Sequence, residues 1–334
     1  MSGIADVARV AGVSKSTASR ALSGSGYVSE DTRRRVADAA ASLGYVPSTS
    51  AVSLATGRTR TVGVMMPTVT RWFFAEVLEG IQHSLLQHGL DLTLYTAGPD
   101  RASHDIVYRD FLSQRRFDGL IAVGLDPVDR DVDMMRSLER PVVTVASGDI
   151  AGVDVAIDDE YAVRRATEHL IDLGHRSIVF LGGPRAHWAH VDELRFRGYL
   201  RTMESAGLGA HAHHVTCPVT LPGGFEAAVD LLSYPEQRPT GIVAVCDEVA
   251  IGAIIAARRL GISVPAELSV IGIDDHEYAE MFSLTTLAQN PRQQGALAVD
   301  LLAQRIADPT IVGGVKPLRA RLVSRHSTAR VREG

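Results

Sequence analysis

The first 22 residues carry the pattern of two short amphipathic helices joined by one tight turn. In residues 4–11, apolar side chains recur at the i, i+3, i+4, i+7 spacing of a single helix face. Gly12 is expected to form the turn, because glycine adopts a positive φ without steric cost. Ser14 is placed to cap the second helix by accepting a hydrogen bond from a backbone N–H. This layout predicts a helix-turn-helix, and it constrains the interpretation of the whole chain.

The second predicted helix has two distinct faces. Ala18, Ala21 and Leu22 fall on one side and are expected to pack inward. Hydrogen-bonding and cationic side chains fall on the other, as a helix that reads the major groove of DNA requires. The expected DNA-contacting residues are Lys15, Ser16 and Arg20 at base edges and Ser14, Thr17 and Ser19 nearer phosphates. The ordinary alternative is the solvated face of a small helical hairpin.

A third helix is predicted next, with Ser29 as its cap and Gly44 at its end. Three motifs of this region resemble the headpiece of the lactose/galactose-repressor (LacI/GalR) family of bacterial transcription regulators: Ala-Gly-Val-Ser at 11–14, Val-Ser-x-x-Thr-Arg at 28–33 and Leu-Gly-Tyr-x-Pro at 43–47. The resemblance implies that residues 1–46 form a headpiece that binds double-stranded operator DNA.

Charge is distributed unevenly along the chain. The first 60 residues have eight arginines and lysines against four acids, whereas the 334-residue chain has a net charge of −5, so residues 61–334 carry −9. A basic head on an acidic body directs attraction for nucleic acid to one end. No apolar run reaches the roughly 18 residues of a membrane span, and no secretory signal pattern begins the chain. Because Cys217 and Cys246 form no CxxC pair, we expect a reduced, cytoplasmic setting.

Residues 47–60 are small and polar, which by itself predicts a flexible linker. The family resemblance implies more: a hinge that becomes helical on operator DNA and pairs with the hinge of a second subunit. Leu54 matches the leucine that is wedged between base steps there, and Ala51 matches a neighbouring hinge contact. An apolar wedge offsets the cost of unstacking by bending the DNA around more protein surface. Val52 replaces the usual arginine, so the contacts of that arginine with phosphate or protein are not implied for this chain, whereas the leucine wedge is.

From residue 61 onward, short apolar runs alternate with amphipathic stretches. The predicted strands are 62–66, 90–96, 119–123, 142–146, 153–157, 178–181, 215–219, 242–245, 268–273 and 284–288. The predicted helices are 74–88, 103–114, 160–173, 192–206, 224–233, 248–260 and 291–306. This alternation favours two doubly wound α/β lobes with parallel sheets and ligands at the carboxyl ends of strands.

The resemblance extends through this body, which it identifies as similar to the periplasmic sugar-binding-protein fold. The motifs are His-Leu-Ile-x-Leu-Gly-His-Arg at 169–176, Gly-Ile-Asp-Asp at 272–275 and Leu-Thr-Thr at 284–286. By analogy, residues 61–334 form an effector-binding and dimerisation core. Its first lobe would comprise about 61–158 plus 289–325, and its second lobe about 159–288.

The same resemblance implies an effector cleft between the lobes. Family members hold a small ligand with aromatic residues after the first strand, an arginine of the second lobe, an Asn-Asp pair and the aspartate of Gly-x-Asp. The matching positions here are Phe73, Phe74, Arg195, Cys246, Asp247 and Asp274. Four of them have an ordinary alternative: Phe73 and Phe74 as core helix residues, Arg195 as a surface charge and Asp274 as a cap. Cys246 replaces the usual Asn, and Ala146 stands where many sugar-responsive members have Asp. Trp188 fits either the cleft mouth or packing on a lobe.

Other chemistry has little support in the sequence. His211, His213 and His214 lack a Cys or acid at metal-ligand spacing, so we expect no metal site. No phosphate-binding glycine motif and no G-x-S-x-G occurs, so we expect no nucleotide cofactor and no hydrolase activity.

The sequence therefore predicts a non-enzymatic, homodimeric transcription regulator, a repressor controlled by a sugar, sugar derivative or nucleoside-like metabolite. A tetramer stays open. One alternative is a cytoplasmic sugar-processing α/β enzyme with a helical cap, which metabolite turnover without promoter binding would reveal. Another is a regulator whose core binds a protein instead of a metabolite.

Overall fold

The computed structural model describes residues 3–24, 26–45, 57–96, 106–107, 116–125, 129–148, 152–183, 190–311 and 318–331. Within these ranges the chain forms three N-terminal helices and two α/β lobes. The predicted fold class, a helical headpiece followed by two doubly wound α/β lobes, is confirmed. The hinge residues Ala51 and Leu54, and Trp188, lie outside the described residues.

The N-terminal helices are α1 (Ile4–Ala11), α2 (Lys15–Ser23) and α3 (Glu30–Ser42). Gly12 ends α1 at φ +65°, and Ser14 caps α2 by accepting a hydrogen bond from the third backbone N–H of that helix at 3.0 Å. One fully buried residue from each helix enters the small apolar core, namely Val7, Ala18 and Val36. The predicted turn, cap and inward face are therefore confirmed.

The rest of the described chain alternates strands and helices. The strands are β1 (Thr61–Met66), β2 (Asp91–Thr96), β3 (Gly119–Val123), β4 (Val142–Val145), β5 (Asp154–Val155), β6 (Ile178–Gly182), β7 (His213–Thr216), β8 (Gly241–Ala244), β9 (Ser269–Asp274), β10 (Thr285–Ala288) and β11 (Arg321–Val323). The helices are α4 (Trp72–Gln87), α5 (Asp129–Arg136), α6 (Asp159–Asp172), α7 (His190–Ser205), α8 (Leu221–Leu232), α9 (Asp247–Arg259) and α10 (Pro291–Ala307).

The two sheets have the same topology near their first strands. The first sheet has the order β2-β1-β3-β4-β5, and all of its pairings are parallel. The second has the order β11-β10-β9-β8-β6-β7 and is parallel from β10 to β7. In each sheet the direction of strand addition reverses beside the first strand, at β1–β3 and at β6–β8. Such switch points leave a crevice at the carboxyl ends of the strands, where ligands bind in open α/β sheets.

The last strand corrects two expectations. β11 pairs antiparallel with β10, so the second sheet is not wholly parallel, and residues 321–325 do not belong to the first lobe. After β10 the chain returns to the first lobe in α10, which packs on α4. Leu318 then forms a parallel β-bridge with Ile157 before the chain reaches β11. A half-exposed edge strand of three residues is too short to show a strand period in the sequence. The predicted helix 103–114 lies almost wholly outside the described residues.

Candidate functional site

One candidate surface is the outward face of α2. The six predicted DNA-contacting residues lie on this helix and at its start: Ser14, Lys15, Ser16 and Arg20 are exposed, and Thr17 and Ser19 are half-buried. The Ser14 hydroxyl lies 2.9 Å from that of Ser16 and 2.8 Å from that of Thr17. Hydroxyls and free backbone N–H groups at a helix N-terminus suit a phosphate oxygen, and the cationic side chains along the helix suit base edges.

A second candidate site is a cavity of about 80 Å³ between the two lobes. Residues that follow β1, β3 and β4 line its first-lobe side, and residues that follow β6, β8 and β9 line its second-lobe side. Its wall includes Arg71, Phe73, Phe74, Ala146, Asp159, Arg195, Cys246, Asp274, Gln289 and Gln294. The structure thus brings five of the six predicted effector-contacting residues together at the carboxyl ends of both sheets.

Arg195, on α7, is buried in an ion pair. Its Nε donates to Asp159 Oδ1 at 2.7 Å, and its Nη1 donates to the Val245 carbonyl at 2.6 Å. Burial alone would lower the pKa of Arg195, but the carboxylates of Asp159 and Asp274 outweigh burial and raise it, so the guanidinium stays charged. Among the described residues Nη2 has no hydrogen-bond partner, which leaves it for a ligand acceptor. Arg195 is not a surface charge.

Arg71, which sequence analysis does not single out, joins the two lobes. It immediately precedes α4, and its Nε donates to Glu248 Oε2 in the first turn of α9 at 3.3 Å. Its guanidinium carbon lies 5.6 Å from the centre of the Phe74 ring. A cation placed soon after β1, on the edge where ligands bind, is the sequence signal that identifies it.

Phe73 and Phe74 have different surroundings. Phe74 is buried and belongs to the core of the first lobe, as the core alternative predicts, while Phe73 is half-buried. Their rings meet edge to face, with centroids 5.6 Å apart. Because both also border the cavity, a ligand there would meet apolar ring surface beside the charged groups.

Asp274 ends β9 and begins a short chain of side-chain hydrogen bonds. Its Oδ1 accepts from Gln289 Nε2 at 2.6 Å, and Gln289 Oε1 accepts from Gln294 Nε2 at 2.8 Å. Burial raises the pKa of Asp274, and the Arg195 guanidinium offsets part of that shift. Sequence analysis misses both glutamines. The position of Gln289 directly after β10 is a signal for the first, but nothing local identifies Gln294.

Asp247 is the predicted effector-contacting residue that does not line the cavity. Its carboxylate accepts from Thr286 Oγ1 at 2.7 Å and from the backbone N–H of His276 at 2.9 Å. A Cβ on Gly272 would lie 2.1 Å from Asp247 Oδ1, so this glycine makes room for the carboxylate. Asp247 therefore ties β10 and the segment after β9 to the start of α9. The family pattern names two adjacent residues, but here only Cys246 borders the cavity.

The two departures from the family pattern leave uncharged groups in the cavity wall. Burial raises the pKa of the Cys246 thiol to about 12, so it is neutral at physiological pH. Ala146, at φ +51°, contributes only a methyl group. Polar recognition in the cavity therefore depends on the remaining charged and amide side chains.

Within the described ranges, no three His, Cys, Asp or Glu side chains are grouped so that they could hold a metal ion. His213 and His214 lie in β7, and His211 lies in the 3₁₀ turn before it. Of the helices described, none has the length and apolar character needed to cross a bilayer.

Comparison with known proteins agrees with this architecture. Residues 3–48 match the model of bacterial regulatory proteins of the lacI family, and residues 167–328 match a periplasmic binding protein-like domain. The chain is 33% identical to the HTH-type transcriptional repressor PurR of Vibrio campbellii, over 99% of this chain and all of that protein. It is also 33% identical to the ribose operon repressor of Escherichia coli K12, over 93% of this chain and 95% of that protein.

Solved structures give the same result. The lac repressor dimer bound to operator and the anti-inducer ONPF has a TM-score of 0.86 and 27% identity, over 98% of this chain and 99% of that one. A LacI family regulator from Enterococcus faecium with bound ribose has a TM-score of 0.73 and 26% identity, over 81% of this chain and all of that one. The chain therefore belongs to the LacI family of bacterial regulatory proteins and is a DNA-binding transcriptional regulator.

Proposed function

We propose that this chain is a homodimeric repressor whose affinity for operator DNA depends on a small polar metabolite held in the cavity between its lobes. The observation that carries the proposal is the cavity itself, where Arg195 and Asp274 of one lobe face aromatic rings of the other. A sugar, a sugar derivative or a nucleoside-like compound suits this combination of charged groups and ring surface. The LacI family regulator from Enterococcus faecium, which has ribose bound, supports a sugar as the ligand.

Coupling to DNA would act through the angle between the lobes. A ligand that touches both lobes favours one angle over another, and it shifts DNA affinity only by its differential affinity for the two arrangements. In the dimer, the first lobes would set the spacing of the two hinges. The proposed hinge residues Ala51 and Leu54 would then enter the minor groove together only at one lobe angle.

On DNA, the two headpieces of a dimer would place one α2 helix in each half of a pseudo-palindromic site. Lys15, Ser16 and Arg20 are proposed to contact bases, and Ser14, Thr17 and Ser19 to contact phosphates. The lac repressor structure with which this chain aligns is a dimer bound to operator. A regulator of this kind acts where the chromosome lies, so we assign the protein to the cytoplasm.

Arg20→Ala is expected to weaken operator binding by about 1–3 kcal/mol and to relax preference at one base pair per half-site, because the exposed guanidinium can donate to a guanine edge. Binding to selected and random duplexes should be measured by fluorescence anisotropy. Arg164→Ala, which removes a half-exposed positive charge from the second lobe, is the charge-matched control. Equal losses on both duplexes would assign Arg20 to the DNA backbone.

The experiment that tests the proposed function begins with the operator. Sequences bound by the full-length protein are selected from fragmented genomic DNA, and the best site is titrated with and without the small-molecule fraction of a cell extract. A change in operator affinity that depends on the extract is expected. Selection of no preferred sequence, or turnover of a metabolite without DNA binding, would contradict the proposal.

A further inference from the structure

A buried amide in the cavity wall has an unused hydrogen-bond acceptor. Gln294, in the first turn of α10, is fully buried and borders the cavity. Among the described side chains, its Oε1 is one of the few buried polar atoms with no hydrogen-bond partner. Buried polar groups are nearly always paired, and an unpaired one beside a cavity calls for a partner that binds there.

The chain of hydrogen bonds fixes which end of this amide is free. A carboxylate only accepts hydrogen bonds, so the Asp274 carboxylate turns the amide nitrogen of Gln289 towards itself. The Gln289 oxygen is then left to accept from Gln294 Nε2. Gln294 must therefore present its oxygen, an acceptor, as its free end.

The backbone around Gln294 is firmly positioned. Asn290 caps α10, with its side chain accepting from the Gln293 N–H at 3.1 Å. On the other side, a Cβ on Gly295 would lie 2.3 Å from the Val77 carbonyl oxygen, so α10 is in close backbone contact with α4. A side chain held between two such constraints can discriminate between ligand positions, because little reorganisation is available to it.

The charges of the cavity select the class of ligand. Both cationic side chains already have carboxylate partners, Arg195 with Asp159 and Arg71 with Glu248. The groups that a ligand would still satisfy include two acceptors, the Asp274 carboxylate and Gln294 Oε1. A cavity of about 80 Å³ holds roughly six waters, the space of one monosaccharide. An anionic ligand would meet the Asp274 carboxylate, whose charge is offset only in part by the two arginines, because each arginine is paired with another carboxylate.

We propose that Gln294 is a specificity-determining residue, whose Oε1 accepts a hydrogen bond from one hydroxyl of a neutral monosaccharide or cyclic polyol while Asp274 accepts from another. This inference rests on the proposed function of the cavity as the effector site. It adds the class of ligand and assigns recognition of one hydroxyl to a single side chain.

The test uses the full-length protein and five named probes: D-ribose, D-xylose, D-glucose, D-galactose and myo-inositol. Binding is measured by calorimetry on the wild type, on Gln294→Met and on Gln293→Met, an exposed neighbour in the same helix. We expect at least one probe to bind the wild type and to bind Gln294→Met about 10-fold more weakly, with no change for Gln293→Met. Gln294→Leu, which is also apolar and similar in size, replaces the methionine variant if that variant does not fold.

Deoxy analogues of the best probe separate direct contact from a structural role. One deoxy position should weaken binding to the wild type, and the Gln294 variant should bind that analogue and its parent equally. A purely structural residue would instead weaken every analogue by the same factor, which would overturn the proposal. Failure of all five probes to bind the wild type would also overturn it, because the ligand class would be wrong.

These outcomes are distinct from failure of the proposed function. If the cell extract releases operator but none of the five probes binds, the inference about Gln294 fails and the proposed function stands. If a probe binds with the expected loss in the variant but no metabolite changes operator affinity, the inference about the pocket stands and the proposed function fails.

Discussion

Arg195→Ala is expected to lower the free energy of unfolding of the α/β core by about 3–5 kcal/mol, as well as removing any effector response. The substitution leaves the Asp159 carboxylate buried at 3% exposure without its cation, and it leaves the Val245 carbonyl without its donor. Denaturant unfolding of wild type and variant measures the loss. The size of the effect means that a ligand-binding defect in this variant cannot by itself be assigned to lost contacts.

A double variant resolves that ambiguity. Arg195→Met combined with Asp159→Leu removes both charges together, so we expect it to recover most of the stability that either single substitution loses. Being folded, it should still fail to bind effector, because the Nη2 donor is gone. A single variant within about 0.5 kcal/mol of the wild type would show that the ion pair is not important for folding.

We expect the stability of the core to fall less with rising pH in Asp247→Asn than in the wild type. Burial and the neighbouring Asp274 carboxylate raise the pKa of Asp247 above the ordinary aspartate value. Between the ordinary pKa and the raised pKa, the folded chain keeps a proton that the unfolded chain has lost, so stability falls as pH rises, by at most about 1.4 kcal/mol per pH unit. The neutral amide has no such dependence; its oxygen can accept from the His276 N–H, and its nitrogen must donate to Thr286 Oγ1 instead of accepting from it.

The measurement is the free energy of unfolding at pH 5, 6, 7 and 8 for the wild type, Asp247→Asn and the exposed control Asp230→Asn. The free energy of unfolding of the Asp247 variant should rise relative to that of the wild type from pH 5 to pH 8. It should also keep its affinity for effector, in contrast to Asp274→Asn. Parallel pH curves for the wild type and Asp247→Asn would show that Asp247 is ionised throughout.

Local signals account for what the sequence predicts correctly. In the headpiece, the turn at Gly12, the cap at Ser14 and the inward position of Ala18 all depend on residues within a few positions of one another. In the core, alternating strands and helices predict parallel sheets, and parallel sheets place their ligand site at the carboxyl ends of the strands. The placing of Phe73 and Arg195 in one cavity depends instead on the family resemblance, and both residues line the cavity of the structure.

The features that the sequence does not predict depend on distant residues. Arg195 and Asp159 are 36 positions apart, and Arg71 and Glu248 are 177 apart, so no local pattern pairs them. Asp247 follows a residue that borders the cavity, yet Thr286 and His276 draw its carboxylate away. Gln294 is one of several polar residues at the start of α10, and only its burial beside Gln289 distinguishes it.

We propose that ligand binding between the lobes and operator binding by the headpiece are coupled in one protein. The most direct test measures operator affinity with and without saturating metabolite, and metabolite affinity with and without saturating operator. Linkage requires the metabolite to change operator affinity by the same factor by which operator changes metabolite affinity, so we expect the same fold-change in both titrations. A metabolite that binds tightly in the cavity but leaves operator affinity unchanged would contradict it.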